Sequence, residues 1–511
     1  MRSVATISVA NNYIRIFDFG DGFENLVLRK YCKMELTKYG QEPIPGTRKK
    51  RWVPTHVFAR TSNDRSEYRM PKSVLEPLLR LAASQGFNRA RIQVKDEPVI
   101  EGAHAEFSIK EKYNTPRENQ KEWIEYKMGP GALKVNEAST GLGKTYMALY
   151  CMMLMQKRTI ITIQPRYIPI WQKDLAEMFN ISPKDVLVWE YTDLPRLGEL
   201  CKEGKIDPKI IILPTTRIST YMRSRRKNGN LPCLDEIIAN INPGLRIIDE
   251  AHESFHEVTL SMFYGNVAKT FMLSATMKGD DPFLNKMYQA MAPKETRLKE
   301  AEPENYIDIF AYLYQMDIRK YKIQTMQGGT YNDIALEKSI LRSKEATDFY
   351  FQLADDIYQR YYLDAKEEGT KCIFFFTLIE MCLVMKEKFR EKYPGADFDT
   401  FLGTLDKKTP KKYLEHENLV TTPGSCGTGK DIPGAITCIS FHTVFSIQRN
   451  KQMIGRLRNL LGKFGGRITP RFIFPVCVDI AKHGDCYHKR KLAFAPKQKS
   501  WKTITSGLAL Q

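Results

Sequence analysis

The sequence predicts an α/β protein in which two consecutive parallel-sheet domains follow a small α+β module. Three observations predict it. Short, continuously apolar runs alternate with helical patterns over residues 116–293, as in a sheet covered on both faces. The same alternation resumes at about Asn305 and continues toward the C-terminus. Ahead of both, residues 1–108 carry shorter alternating segments around one amphipathic helix. The expected boundaries in this chain of 511 residues are 1–108, 109–295 and 296–511.

Each element follows from local pattern. Within the first module, strands are expected over Val4–Val9, Tyr13–Phe17, Leu26–Leu36, Trp52–Arg60 and Ala90–Val94. A helix is expected over Lys72–Gln85, with Val74, Leu75, Leu78, Leu79 and Leu81 as its apolar stripe. Pro71 stands at its start and Gly86 just past its end, as helix chemistry prefers. In the second domain the strand candidates are Lys134–Asn136, Thr159–Ile163, Ile210–Leu213, Leu245–Ile248 and Thr270–Leu273. In the third they are Cys372–Phe376, Phe398–Phe401, Leu419–Thr421, Ala435–Phe441 and Arg471–Phe474, with a helix over Thr377–Tyr393.

Composition narrows the class. The chain is 42% hydrophobic, and no apolar run reaches the roughly 18 residues that span a bilayer. The N-terminus has no apolar secretory core, so a cytosolic protein is expected. Ten scattered cysteines form no C-x-x-C pair, which argues for reduced thiols and against a disulfide scaffold. The net charge of +19 points to a polyanionic partner. Residues 451–511 carry 13 Lys and Arg against 2 Asp and Glu, and residues 1–110 carry 19 against 12. Within the first excess, His483–Lys491 offers too few ligands for zinc and reads as a basic arm contacting nucleic acid. Within the second, Arg48-Lys49-Lys50-Arg51 reads either as a phosphate clamp or as a solvated hairpin tip.

Chemistry concentrates in two segments. Ala138-Ser139-Thr140-Gly141-Leu142-Gly143-Lys144-Thr145 follows a strand and opens a helix, the context a phosphate loop requires. Gly141 and Gly143 let backbone N–H groups face phosphates, Lys144 reaches the β- and γ-phosphates, and the Thr145 hydroxyl suits Mg²⁺. The second segment, Asp249-Glu250-Ala251-His252, ends a buried strand 105 positions after Lys144. Asp249 can hold the Mg²⁺, and Glu250 can orient and deprotonate the attacking water. Ser274 and Thr276, at the next strand end, can relay the phosphate state.

Taken together over residues 116–460, these segments resemble the motifs of superfamily 2 helicases in order. Arg117-Glu118-Asn119-Gln120 looks like the R-x-x-Q element, which implies that Gln120 contacts adenine. Ala138–Thr145 is similar to motif I, with Ala138 in place of the first glycine and Ser139 and Thr140 in the loop. Gln164-Pro165-Arg166 and Leu213-Pro214-Thr215-Thr216 resemble motifs Ia and Ib, which implies backbone contacts from Pro165, Arg166, Thr215 and Thr216. Asp249–His252 resembles motif II in its DEAH form, and Ser274–Thr276 motif III. Phe374–Thr377 looks like the strand of motif IV, and Gly427–Pro433 like motif V, which places Gly429 and Asp431 near the nucleotide. Gln452–Arg458 resembles motif VI. The pattern Q-x-x-G-R-x-x-R puts its last arginine at position 459, which here is Asn459. Arg456 takes the middle role. Arg458 stands one place early, which on a helix turns a side chain by about 100°; Arg449 is its rival.

The resemblance implies a fold of two RecA-like domains with ATP bound between them and Mg²⁺ as cofactor. The first module, from Tyr68-Arg69-Met70-Pro71 through Gly86, is similar to the domain that precedes the motor in phage helicases of the UvsW type. That likeness implies an ATP-dependent DNA helicase or translocase, acting on forks, recombination intermediates or R-loops in the cytoplasm of a host cell beside replication or recombination proteins. A translocase on duplex DNA that displaces proteins or transcripts, an RNA helicase, a restriction-system motor and a non-enzymatic binding module stay open as alternatives.

Overall fold

Strands β1 (Ala5–Val9) and β2 (Tyr13–Phe17) open the chain as an antiparallel pair, with Thr6 opposite Phe17. Helix replaces the strand expected over Leu26–Leu36. A π-helical turn, Glu24–Arg29, runs into an α-helix, Lys30–Glu35. Burial explains the difference. Val27 and Leu28 are adjacent and both buried, with Phe23 one turn earlier, whereas Leu26 is exposed. Adjacent burial marks a helical face; a strand would have alternated. Next comes the antiparallel hairpin β3 (Thr37–Pro43) and β4 (Lys50–Val57), mostly exposed. β5 (Arg60–Thr61), β6 (Tyr68–Pro71), the helix Leu75–Ser84 and β7 (Ile92–Asp96) complete the module. Gly86, at φ +84°, follows that helix in the left-handed conformation a helix stop favours. The sheet order is β5-β6-β2-β1-β7, and only β1 with β7 is a parallel pair.

A seven-stranded parallel sheet follows: β8 (Leu133–Glu137), β9 (Thr159–Ile163), β10 (Val186–Val188), β11 (Ile210–Pro214), β12 (Leu245–Ile248), β13 (Lys269–Ser274) and β14 (Arg297–Lys299). Its order is β10-β11-β9-β12-β13-β8-β14, and every pairing is parallel. β9, β11 and β12 are buried throughout, as a sheet covered on both faces demands. The sequence pattern misses only the two edge strands, each three residues long and too short for a periodicity.

The module is welded to this sheet. Residues from both, including Ile7, Ile14, Leu78, Met262, Phe263 and Tyr288, share one apolar core. Asn11 N donates to Asn266 Oδ1 at 2.8 Å, and Asn12 Nδ2 donates to Thr270 Oγ1 at 3.1 Å. The connecting segment makes isolated bridges to the sheet domain at Ile100–Val267, His104–Lys157 and Ile109–Phe179. Gly102 passes so close to Gly244 that a Cβ on it would lie 2.0 Å from the Gly244 nitrogen. Arg69, buried on β6, pairs with Asp235 at 2.6 Å and with Glu67, and donates to Phe263 O at 2.7 Å. Burial works against the Arg69 charge, yet Asp235 and Glu67 outweigh it and hold the guanidinium firmly protonated.

In the second part of the chain the strands are β15 (Ile307–Met316), the short hairpin β16 (Met326–Gln327) and β17 (Thr330–Tyr331), β18 (Lys371–Phe375), β19 (Phe398–Phe401), β20 (Asn418–Thr421), β21 (Ala435–Ser440), β22 (Arg471–Cys477) and β23 (Gln498–Leu510). Seven of them form a second parallel sheet, β19-β20-β18-β21-β22-β15-β23. The stretch expected as a basic arm is instead part of the packed helix Ala481–Phe494. His483 and Arg490 face inward: His483 Nδ1 accepts from Cys477 N at 3.1 Å, and Arg490 donates to His442 O at 2.6 Å. Lys482, Asp485, His488 and Lys491 remain toward solvent, so the charge run had concealed a helix with a buried side.

The computed structural model describes residues 3–44, 50–138, 142–274, 277, 281–299, 305–403, 415–426, 432–458, 460 and 468–511. They divide into two compact units, Met1–Glu300 and Ala301–Gln511. No helix among the described residues is long and apolar enough to cross a membrane.

Two stability outcomes follow. Arg69→Met leaves the half-buried Asp235 without its cation and Phe263 O without its donor, and is expected to cost about 2–3 kcal/mol in urea unfolding of the full chain; a loss under 1 kcal/mol would contradict the account. Glu337, buried in the second unit, accepts N–H bonds from Thr377 and Leu378 at 2.8 and 2.7 Å. Burial nevertheless pushes its carboxyl up to about 8, against those two donors. A raised carboxyl favours the folded state at low pH and loses that contribution as pH climbs from the ordinary value toward 8. Glu337→Gln is therefore expected to flatten the fall in stability between pH 5 and 8, read by urea titration at each pH.

Candidate functional site

The phosphate-loop segment leaves β8 at Glu137 and enters the helix Lys144–Met155. Ser139, Thr140 and Gly141 lie outside the described residues. Gly143 caps the helix at φ +88°, a conformation that favours glycine. A Cβ there would also stand 2.6 Å from Gln120 Nε2. Lys144 is buried, and its Nζ donates to Ala138 O at 3.0 Å, back toward the end of β8. Thr145, the second helical residue, is half-buried.

Gln120 sits on the helix Glu118–Met128, whose cap is Arg117. Its Nε2 donates to Leu142 O at 3.0 Å and its Oε1 accepts from Arg117 N at 3.1 Å. The geometry thus gives the R-x-x-Q element a bracing contact with the loop.

Asp249 ends β12, with its backbone N–H on Thr162 O of the neighbouring β9. Trp171 Nε1 donates to Asp249 Oδ2 at 2.8 Å, and Glu250 N donates to Oδ1 at 2.9 Å. Burial and the adjacent Glu250 push the Asp249 carboxyl up to about 6, while Trp171 and the Lys144 charge pull it down. Glu250 holds φ +45°, a strained conformation for a residue with a side chain. Its Oε2 lies 3.4 Å from His252 Nδ1, which is 2.8 Å from Ser274 Oγ at the end of β13. Burial pushes His252 down to about 4, so the ring is neutral. The acidic pair is thereby linked through one imidazole to the next strand end; Thr276 lies outside the described residues.

The same edge of the sheet gathers further residues. Glu253 accepts from Tyr167 Oη at 3.0 Å and pairs with Arg166, while Gln164 Nε2 donates to Ser254 Oγ at 2.5 Å. Pro165 and Arg166 are exposed on this edge. After β11, Thr215 is buried with its hydroxyl lacking a partner among the described residues, and Thr216 is exposed. All of these residues follow the carboxyl ends of parallel strands, where open α/β sheets bind ligands.

Sequence reasoning missed three contributors. Trp171 is the donor that fixes Asp249, a role no short pattern shows. Lys127 was not singled out. It is fully buried beneath this edge, its Nζ 5.7 Å from the Phe271 ring, and burial pushes it down to about 8. The signal was its place on the Trp123–Ile124 face of an otherwise charged helix. The cations of the helix Thr215–Lys227 were also passed over, although no acidic residue interrupts the sequence between Asp207 and Asp235.

In the second unit, Gly429, Asp431 and Asn459 lie outside the described residues, as do Arg48 and Lys49 in the first; Lys50 and Arg51 begin β4 and are exposed. Gln452 is on the helix Ile447–Ile454, and nothing is described of its side chain. That helix stops before Arg456, whose N–H donates to Met453 O at 3.1 Å. The expected 100° offset of Arg458 presumed a helix at that point and does not apply, because Arg456 stands on a turn and Arg458 follows it in irregular backbone. Arg456 is buried and Arg458 half-buried. Arg449 is exposed on the helix itself.

A magnesium ion suits the donor set, since Asp249 and Thr145 offer the oxygen ligands that hard cation takes, and burial and Glu250 disfavour the Asp249 charge that a cation would offset.

No protein-family model matches the chain, and no curated protein matches it. Solved structures do. The chain is similar to S. cerevisiae Dbp5 bound to RNA and ADP BeF3, at 14% identity over 78% of this chain and 91% of that one, with a TM-score of 0.50. A structure of Mss116p bound to ssRNA and AMP-PNP gives 16%, 76%, 74% and 0.46 in the same order. A fragment of a putative HsdR subunit of a type I restriction enzyme from Vibrio vulnificus YJ016 gives 15%, 87%, 76% and 0.47. With two parallel seven-stranded sheets behind a small mixed one, the chain has a fold of two tandem RecA-like domains.

Proposed function

We propose that this chain is an ATP-driven nucleic-acid motor that unwinds or remodels branched DNA. The observation that carries the reading is the gathering of Lys144, Asp249 and Glu250 at one edge of a parallel sheet, with Asp249 fixed by Trp171. Lys144 would bind the β- and γ-phosphates of ATP. Asp249 and Thr145 would hold magnesium, which neutralises charge on the phosphates. Glu250 accepts the proton of the attacking water, and Arg456 and Arg458 supply positive charge for the same reaction. His252 carries the change to Ser274 and so to the segment beyond β13.

The net charge of +19 supports a polyanionic track. On this reading residues 1–108 are an accessory nucleic-acid module, 109–295 the ATP-binding domain and 296–511 its partner domain. DNA is the preferred track because of the module's resemblance to that of UvsW-type helicases. Pro165, Arg166, Thr216, Lys50 and Arg51 are its proposed contacts.

Lys144→Ala and Glu250→Gln are each expected to lower nucleic-acid-stimulated ATP hydrolysis by about a hundredfold or more, with the fold intact by circular dichroism. The assay runs single-stranded, duplex and forked DNA, a Holliday junction, an R-loop and RNA side by side. Turnover that survives both changes would sink the motor; stimulation by RNA alone would sink the DNA track. His252→Ala is expected to spare ATP hydrolysis more than strand displacement, and equal losses in the two assays would contradict its relay role.

A further inference from the structure

Two adjoining depressions, of about 330 and 580 Å³, lie between the N-terminal module and the helix Thr215–Lys227. They share the segment Thr61–Asn63 and Arg226, so together they make one trough. The hairpin β3–β4 forms one wall and the end of the helix the other. Arg29, Lys33 and Arg65 line one half, Arg60 and Arg225 the other, and Arg226 both; no Asp or Glu lines either half. Among the described residues, Arg29 pairs with Glu24 at 3.0 Å, whereas the other five cations have no ion-pair partner.

Such a set repels itself. Arg60 shows it most clearly. Its Nε is buried with no hydrogen-bond partner among the described residues, and burial together with the charge of Arg226 works against its protonation. A chain of phosphates passing through would relieve each of these costs at once. The hairpin wall adds rings. Tyr39 lines the trough, and Trp52 is 66% exposed. Cross-strand register pairs Tyr39 with Pro54 and Gln41 with Trp52, so both rings stand on the same hairpin face. Unpaired bases can stack on such rings, whereas a duplex keeps its bases inside.

We propose that this trough is a site for one single strand of nucleic acid, held by its sugar-phosphate backbone on Arg60, Arg65, Arg225 and Arg226 with bases turned to Tyr39 and Trp52. The proposal rests on the nucleic-acid motor reading and adds a strand site outside the motor's own contacts. It therefore takes the strand displaced from, or not yet fed into, that track.

The test is fluorescence anisotropy of the full chain with a labelled dT oligonucleotide, a uridine oligonucleotide of equal length and a blunt duplex, across a salt series. Arg65→Ala with Arg226→Ala is expected to weaken single-strand binding on the order of tenfold. The slope of log K against log salt should become shallower by about 1.4, because two phosphate contacts are lost. Tyr39→Ala with Trp52→Ala should weaken strand binding and leave the duplex unaffected, and Arg65→Lys with Arg226→Lys should keep the wild-type slope. ATP hydrolysis without nucleic acid should be unchanged in every variant. A loss on either strand, DNA or RNA, carries the proposal. Strand affinity and slope equal to wild type, or a loss confined to duplex, overturns it. Wild type binding none of the three probes would fail the motor reading itself; binding with stimulated hydrolysis but no effect of the variants would fail the trough alone.

Discussion

A half-buried carboxylate is the constraint around which the first unit is arranged. Asp249 stands just past β12, partly shielded from water, and burial disfavours its charge unless donors or cations meet it. One donor is the Trp171 indole and another is the backbone of Glu250. Trp171 can serve only if its helix, Ile168–Met178, is packed at the right height over the sheet, and that helix starts on Pro165–Tyr167. The position of one acid therefore dictates where the segment after β9 may lie. Glu253 repeats the logic a turn later by taking Tyr167 and Arg166 from that same segment.

Much of this was legible in the sequence because it rests on short-range patterns. The buried strands of both sheets announce themselves by continuous apolar runs, and Thr159–Ile163, Leu245–Ile248 and Phe398–Phe401 coincide with their expected bounds. What was not legible depends on partners distant in the chain. β15 pairs with β23, nearly two hundred positions later, and neither has a pattern that demands it. Leu26–Leu36 misled for the opposite reason: its apolar residues are dense enough to suit either period, and only the core they meet decides between them. The His483–Arg490 stretch looked solvated because charge was counted without asking which side of a helix carried it.

The site divides in the same way. Motif spacing put Lys144 at a helix start and Asp249 and Glu250 just past a strand, and the structure has them there. It could not show that Gln120 would be engaged with Leu142 and Arg117, or that the helix of Gln452 would stop short of Arg456. Both are matters of how far an element runs and what it touches, which no four-residue pattern records. The six cations of the trough are likewise spread over the segment Arg29–Arg226 and meet only through the fold.

The weld between the module and the first sheet has a kinematic consequence. The connecting segment is strapped down at Ile100, His104 and Ile109, and the Gly102–Gly244 contact leaves no room for slack. With a common core on one side and those bridges on the other, there is no joint at which the module could swing. Whatever displacement the first seven-stranded sheet undergoes, hairpin β3–β4 undergoes too. The module is thus an outrigger, fixed in the reference frame of β12 and Asp249, and it reports the motion of that sheet without adding a motion of its own.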